Sequence, residues 1–296
     1  MKSIKIAFAD HWSDFKKDNN FILNFLKLQY NVILSDNPDF LFCGSNMSGE
    51  RQRYSNCVKI LISGENLIPD FNIYDYGAAS AYLQFGDRYF RKPPYIAKKE
   101  ILDRSKINKQ MAHRKFCNFI YRNSKWPGTK NRMDFCKLLQ TYKQVDCPGQ
   151  SLHNIDCKDL APRNGDWYKS KQKFLEQYKF TIAFENSFSE GYTTEKIIQP
   201  FYAYSIPIYW GNPLVTNEFN SKAFINCNDY GNDFNAVIEK VKELDNDDEK
   251  YLEMLSQPPV LESFDFDKEK HFREWVIKII ERGNKPFDKG IMFDKK

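Results

Sequence analysis

The chain has 296 residues, 42% of them hydrophobic and 28% charged, with a formal net charge of +5. That length suits two domains of about 100–150 residues each, and the composition excludes a disordered chain. No run of about 18 apolar residues occurs, which excludes a membrane-spanning helix.

The N-terminal stretch "MKSIKIAFAD" reads as a first β-strand and not as a signal peptide, so a cytoplasmic protein is expected. "NFILNFLKLQ" has helical apolar spacing and "YNVILS" comes next as a strand. "DFLFCG", "CVKILISGEN" and "YGAAS" are further apolar runs ending in glycine or polar residues. This alternation predicts a parallel α/β sheet, with ligands at the carboxyl ends of its strands. Glu65, in "GEN", falls at such an end. Residues 88–115 hold ten Lys/Arg against two acids and read as a long basic excursion from the sheet. A solvated face is the plain reading of that charge. Weak peripheral contact with an anionic membrane surface is the functional one, and no nucleic-acid motif accompanies it.

"KFCNFIYRN" predicts a strand and "NRMDFCKLLQTY" an amphipathic helix. The turn-rich segments "DCPGQS" and "APRNGDW" place a domain boundary between residues 145 and 165, giving domains 1–150 and 151–296. The second half repeats the rhythm: helix "KSKQKFLEQY", strand "KFTIAFEN", helix "TTEKIIQPFYAY", strands "IPIYWG" and "KAFINC", then three helices from Asp233 to Arg282. The seven cysteines have irregular spacing and no C-x-x-C, which predicts reduced, buried thiols.

Lys196 stands directly after Glu195, in what reads as the first turn of a helix. A cation there opposes the helix dipole. The explanations left open are an anion bound at the helix end, a side chain turned sideways into solvent, or a nearby acid paired with the lysine. Two D-x-D matches, Asp245 to Asp247 and Asp265 to Asp267, read as helix-flanking aspartates and not as a metal site.

The stretch "FENSFSEGYTTEKIIQPFYAYSIPIYWGNP", Phe184 to Pro213, strongly resembles the donor-binding motif of the α1,3-fucosyltransferases, closest to the bacterial members. "GENLIPDFNIYDYG" resembles the acceptor-side region, and "NRMDFCKLLQTYKQVDCPG" the segment joining the halves. The resemblance implies an α/β GT-B fold: two Rossmann-like domains with an interdomain cleft, acceptor side first and GDP-fucose side second, the last helix returning to the first domain. It implies Glu65 as general base, Arg132 and Lys196 on the donor diphosphate, and Asn186, Tyr192 and Glu195 around the nucleotide sugar. Glu195 would also share in catalysis near the fucose ring, and Glu185 could orient the loop. The donor substrate would be GDP-fucose, with no cofactor and no metal. Fucose would go to the 3-hydroxyl of N-acetylglucosamine in an N-acetyllactosamine-type glycan, giving a Lewis x type product as in bacterial lipopolysaccharide. Alternatives are an α1,4 linkage, a lactose-type acceptor, or an inactive glycan- or sugar-nucleotide-binding protein on the same scaffold. His11 and Trp12 come just after the first strand and are candidates for the acceptor side. The tail "KPFDKGIMFDKK" lacks the heptads of several bacterial relatives, so heptad-driven dimerisation and a strong peripheral anchor at the inner membrane are not expected.

Overall fold

The computed structural model describes residues 1–125, 128–162 and 165–289. The chain forms two compact units: Met1–Pro94 together with the segment from Asp267 onward, and Tyr95–Phe266.

In the first unit, strands β1 (Ser3–Ala9), β2 (Asn31–Leu34), β3 (Phe40–Cys43), β4 (Val58–Ile62), β5 (Tyr76–Ala79) and β6 (Tyr89–Arg91) form one sheet, ordered β2-β1-β3-β4-β5-β6. All its pairings are parallel. Strands β3 and β5 are buried along their whole length, as expected for a parallel sheet covered on both faces. Helix α1 (Phe21–Leu26) starts where the Asn20 side chain accepts from the Leu23 amide at 2.9 Å, and it turns Ile22, Leu23, Phe25 and Leu26 into the core.

The second unit carries β7 (Lys115–Asn118), α2 (Thr129–Leu139), β8 (Val145–Asp146), α3 (Trp167–Leu175), β9 (Tyr178–Phe184), α4 (Glu195–Tyr202), β10 (Ile206–Trp210), β11 (Ile225–Asn226), α5 (Phe234–Asp245) and α6 (Asp248–Ser256). Its parallel sheet has the order β11-β10-β9-β7-β8. Every residue of β9 and β10 is buried. The chain then returns to the first unit as α7 (Lys268–Arg282), which sets Phe272, Trp275, Val276, Ile279 and Ile280 against Ile4, Ile6, Val58 and Ile60.

Three expectations change. The division falls at Pro94, not near residue 150, because β7, α2 and β8 complete the sheet of β9 and β10. The turn-rich residues 146–162 are a connection inside the second unit, and Arg163 and Asn164 of that stretch lie outside the described residues. The basic excursion begins as edge strand β6, and several of its cations are structural. Arg88 donates to the Asp75 carbonyl at 2.7 Å and faces the Phe85 ring, and Arg114 donates to the Tyr204 carbonyl at 2.8 Å. "KAFINC" yields a single 3-10 turn and the two-residue β11.

Asp245 is paired with Lys179 at 2.9 Å and Lys143 at 3.0 Å, while Asp247 caps α6 by accepting from the Lys250 amide at 3.0 Å. The cap explains why the pattern D-x-D arises at a helix start. The seven cysteines are free thiols, all buried except the half-buried Cys157. Among the described residues no helix is long and apolar enough to cross a membrane. Seven of the twelve residues of the C-terminal tail, from Gly290, lie outside the described residues.

Trp275 is the test of how far the first unit depends on α7. Its ring is nearly buried, and its indole N–H donates to the Asp87 carbonyl at 2.9 Å. Trp275→Ala should lower the unfolding free energy by about 3–5 kcal/mol in urea titration, the usual cost of removing a large buried ring. A loss below about 1 kcal/mol would mean that α7 is not integral to that core.

Candidate active site

In both sheets the first strand has the second on one side and the third on the other, so the connections leave in opposite directions between them. Such a switch point opens a crevice at the carboxyl ends of the two strands. In the second unit the strands concerned are β7 and β9. β7 leads to Tyr121 and Asn123, and β9 leads directly to Glu185 and Asn186.

Tyr121 locks this end. Its hydroxyl lies 2.9 and 3.0 Å from the carbonyls of Ile182 and Phe184 and accepts from the Phe184 amide at 2.8 Å. The guanidinium of Arg132, on α2, stacks over the Tyr121 ring at 4.1 Å. It donates to Asn186 Oδ1 at 2.8 Å and to the Asn123 carbonyl. Arg132 is 1% exposed, and its Nε has no hydrogen-bond partner among the described residues. A buried N–H of a cation is costly to leave unpaired, so this one marks a place for an acceptor. Gly128, just before α2, lets the helix start against the Asn186 backbone. A Cβ there would come 2.2 Å from the Asn186 carbonyl oxygen.

Glu185 is fully buried and organises the other half. Oε1 accepts from the Thr194 amide at 2.7 Å, and Oε2 accepts from the Thr194 hydroxyl at 2.8 Å and from Lys196 Nζ at 3.1 Å. Thr194 is the N-cap of α4, so one carboxylate fixes both the helix start and its first-turn cation. Gly211 makes room for it: with φ at +153°, a Cβ there would sit 2.5 Å from Glu185 Cγ. Asn212, also buried, holds the intervening loop by accepting from the Gly191 amide at 2.8 Å and donating to Thr193 Oγ1 at 3.0 Å.

The lysine at the helix start therefore has an acid beside it. Burial alone would push the Lys196 amine down, but the Glu185 and Glu195 carboxylates outweigh it and hold the ammonium above its ordinary value. Burial pushes the Glu185 carboxyl up, against the pull of Lys196. Glu195 is half exposed, 4.0 Å from Lys196 Nζ. Its carboxyl stays below the ordinary range, because Lys196 and Lys171 overcome its partial burial. The charges of Arg132 and Lys196 act on each other, and Glu185 and Tyr192 act on Arg132.

Of the residues singled out in the sequence, Arg132, Asn186, Tyr192, Glu195 and Lys196 belong to this one electrostatic group. Glu65 belongs to the other unit, exposed in the turn after β4, where its amide donates to Ser63 Oγ at 3.0 Å. Glu185 has a larger part than loop orientation. Asn212 and Gly211, in "WGNP", were not singled out; a glycine and an amide directly after an apolar strand are the only signal they give.

Residues 6–98 match the α-(1,3)-fucosyltransferase FucT N-terminal domain, and residues 112–270 match the C-terminal region of glycosyltransferase family 10, the fucosyltransferases. The chain is 32% identical to the α-(1,3)-fucosyltransferase FucT of Helicobacter pylori over 87% of its own length, and it spans 60% of that relative. A crystal structure of an α1,3-fucosyltransferase aligns with a TM-score of 0.75 at 27% identity, covering 95% of this chain and 90% of that one. A second, with GDP-fucose, aligns at 0.73 and 27%, covering 100% and 94%. The two parallel-sheet units are those of the GT-B fold.

The buried pair gives a direct test. Glu185→Gln leaves the Lys196 charge without its nearest carboxylate and should cost about 3–5 kcal/mol of stability by chemical denaturation. Adding Lys196→Met removes the stranded charge and should recover part of that loss. Additive effects of the two substitutions would show that the pair is not coupled.

Proposed function

Because the chain belongs to glycosyltransferase family 10, the fucosyltransferases, we propose that it transfers L-fucose from GDP-fucose to the 3-hydroxyl of N-acetylglucosamine in an N-acetyllactosamine-type glycan, inverting the anomeric carbon. The observation that supports this most is the buried Arg132 guanidinium, whose Nε has no partner among the described residues, electrostatically coupled to Lys196 at the switch point of the second unit. A diphosphate oxygen is the kind of acceptor that N–H would take.

In this reading the acceptor oxygen attacks the anomeric carbon of fucose while its proton passes to the Glu65 carboxylate. The bond from that carbon to the diphosphate oxygen breaks, and GDP leaves with the electron pair. Negative charge grows on the diphosphate as positive charge grows on the sugar ring. Arg132 and Lys196 meet the first, with the N-terminal end of α4 adding its dipole. Lys196 exchanges part of its contact with Glu185 for the phosphate. Glu195, half exposed beside it, meets the second or holds the nucleotide sugar, with Asn186 and Tyr192 completing the donor pocket. Two fixed cations supply the countercharge that other transferases take from a metal ion, so the reaction needs none.

Fucose transfer is measured with GDP-fucose and N-acetyllactosamine, its β1,3 isomer or lactose, in EDTA. Transfer should persist in EDTA with N-acetyllactosamine preferred. Glu65→Gln should lower kcat by about 10²–10⁴, the typical contribution of a general base. Arg132→Ala should weaken GDP binding in calorimetry. Loss of activity in EDTA would reject the metal-free reading, and full activity of Glu65→Gln would reject Glu65 as the base.

A further inference from the structure

The sheet of the first unit has its own switch point, between β1 and β3, and nothing in the donor chemistry uses it. The chain leaves β1 through Asp10, a fully buried carboxylate held at φ +55°. A non-glycine residue in that region needs its surroundings to hold it there. Asp10 Oδ2 accepts from Arg51 at 2.8 Å and Oδ1 from Ser48 Oγ at 2.8 Å, while its carbonyl accepts from the Asn46 amide at 2.9 Å. The loop after β3 thereby clamps the loop after β1.

The clamp also fixes His11, the residue after Asp10. The His11 ring lies face to face with Phe15 at 3.7 Å, and its Nε2–H donates to the Phe42 carbonyl at 3.2 Å. Burial pulls this imidazole below its ordinary value, so it is an uncharged wall at neutral pH. Trp12, its neighbour in the chain, stays 53% exposed. Around it opens a pocket of about 390 Å³, lined by His11, Trp12, Phe15, Asp14, Lys16 and the two asparagines before α1. That volume lies within the about 300–1,000 Å³ usual for small-molecule sites.

The lining selects a ligand class. One acid and one base leave the pocket without net charge, so it offers a phosphate little. One of the amides that a helix start would offer an anion is also taken, because Asn20 Oδ1 accepts from the Leu23 amide. What remains is an aromatic face beside donors and acceptors of both kinds. That combination suits a pyranose, which has an apolar C–H face and a rim of hydroxyls.

We propose that the pocket between His11 and Asn20 binds a neutral hexopyranose unit of the glycan acceptor, with the exposed face of Trp12 as its platform. The inference rests on the reading that a glycan receives the fucose. Trp12 is then a binding residue for the acceptor alone.

The test compares wild type, Trp12→Ala and Trp12→Phe by initial rates, and by saturation-transfer NMR of N-acetyllactosamine without donor. Trp12→Ala should raise the acceptor KM about tenfold, a typical loss for an aromatic anchor. Its GDP-fucose KM should stay within about twofold, and Trp12→Phe should recover most of the loss. An acceptor KM unchanged in Trp12→Ala would overturn the proposal. If wild type transfers fucose to no glycan, the functional reading fails, and NMR still decides the pocket. Saturation lost in Trp12→Ala would support it, whereas saturation equal in both proteins or absent from wild type would overturn it.

Discussion

A parallel sheet covered on both faces has little room for unpaired charge along its strands. β3, β5, β9 and β10 are buried throughout, and the one charge they carry, Lys179 near the start of β9, is paired with Asp245. The strand order then decides which end is useful. Both sheets put their first strand between the second and the third, and both collect buried polar side chains at that point. Asp10 sits there in one unit, and Glu185 with Arg132 sits there in the other.

The two clusters do different work with the same means. In each, a buried carboxylate ties a strand-end loop to a neighbouring segment through a cation and a hydroxyl: Arg51 and Ser48 for Asp10, Lys196 and Thr194 for Glu185. In the second unit the tied cation has a second carboxylate near it, Glu195 at 4.0 Å, while the charge of Arg132 acts against it. A lysine held this way is in place before any ligand arrives. Its side-chain freedom is already lost, which lowers the cost of binding an anion.

The elements were legible because parallel strands read as short continuous apolar runs, and the helices between them carry spaced apolar residues. "IKIAFA", "FLFC", "YKFTIAF" and "IPIYW" needed nothing else. The motif around Lys196 was legible through its resemblance. The division of the chain was not. Local composition marks turns, and the turns of 146–162 are as rich in Pro and Gly as any linker, whereas the true passage at Pro94 comes after an edge strand of three residues. Glu185 was underweighted for a related reason. A carboxylate after a strand gives no sign in sequence of whether it turns outward or, as here, into a space opened by a glycine 26 positions on (211 − 185).

The return of α7 to the first unit has a consequence for biosynthesis. The apolar face that Phe272, Trp275 and Ile279 cover belongs to strands made before the second unit. The second unit, Tyr95–Phe266, is 172 residues long (266 − 95 + 1) and must be made in between. At about 5–20 residues per second, that leaves the β1–β5 sheet half-covered on the ribosome for roughly 10–30 s. The second unit is continuous and can close its core as it emerges. The first is a domain whose strands wait for a helix made after the second unit, so it is the part of a nascent chain that chaperones would be called on to shield.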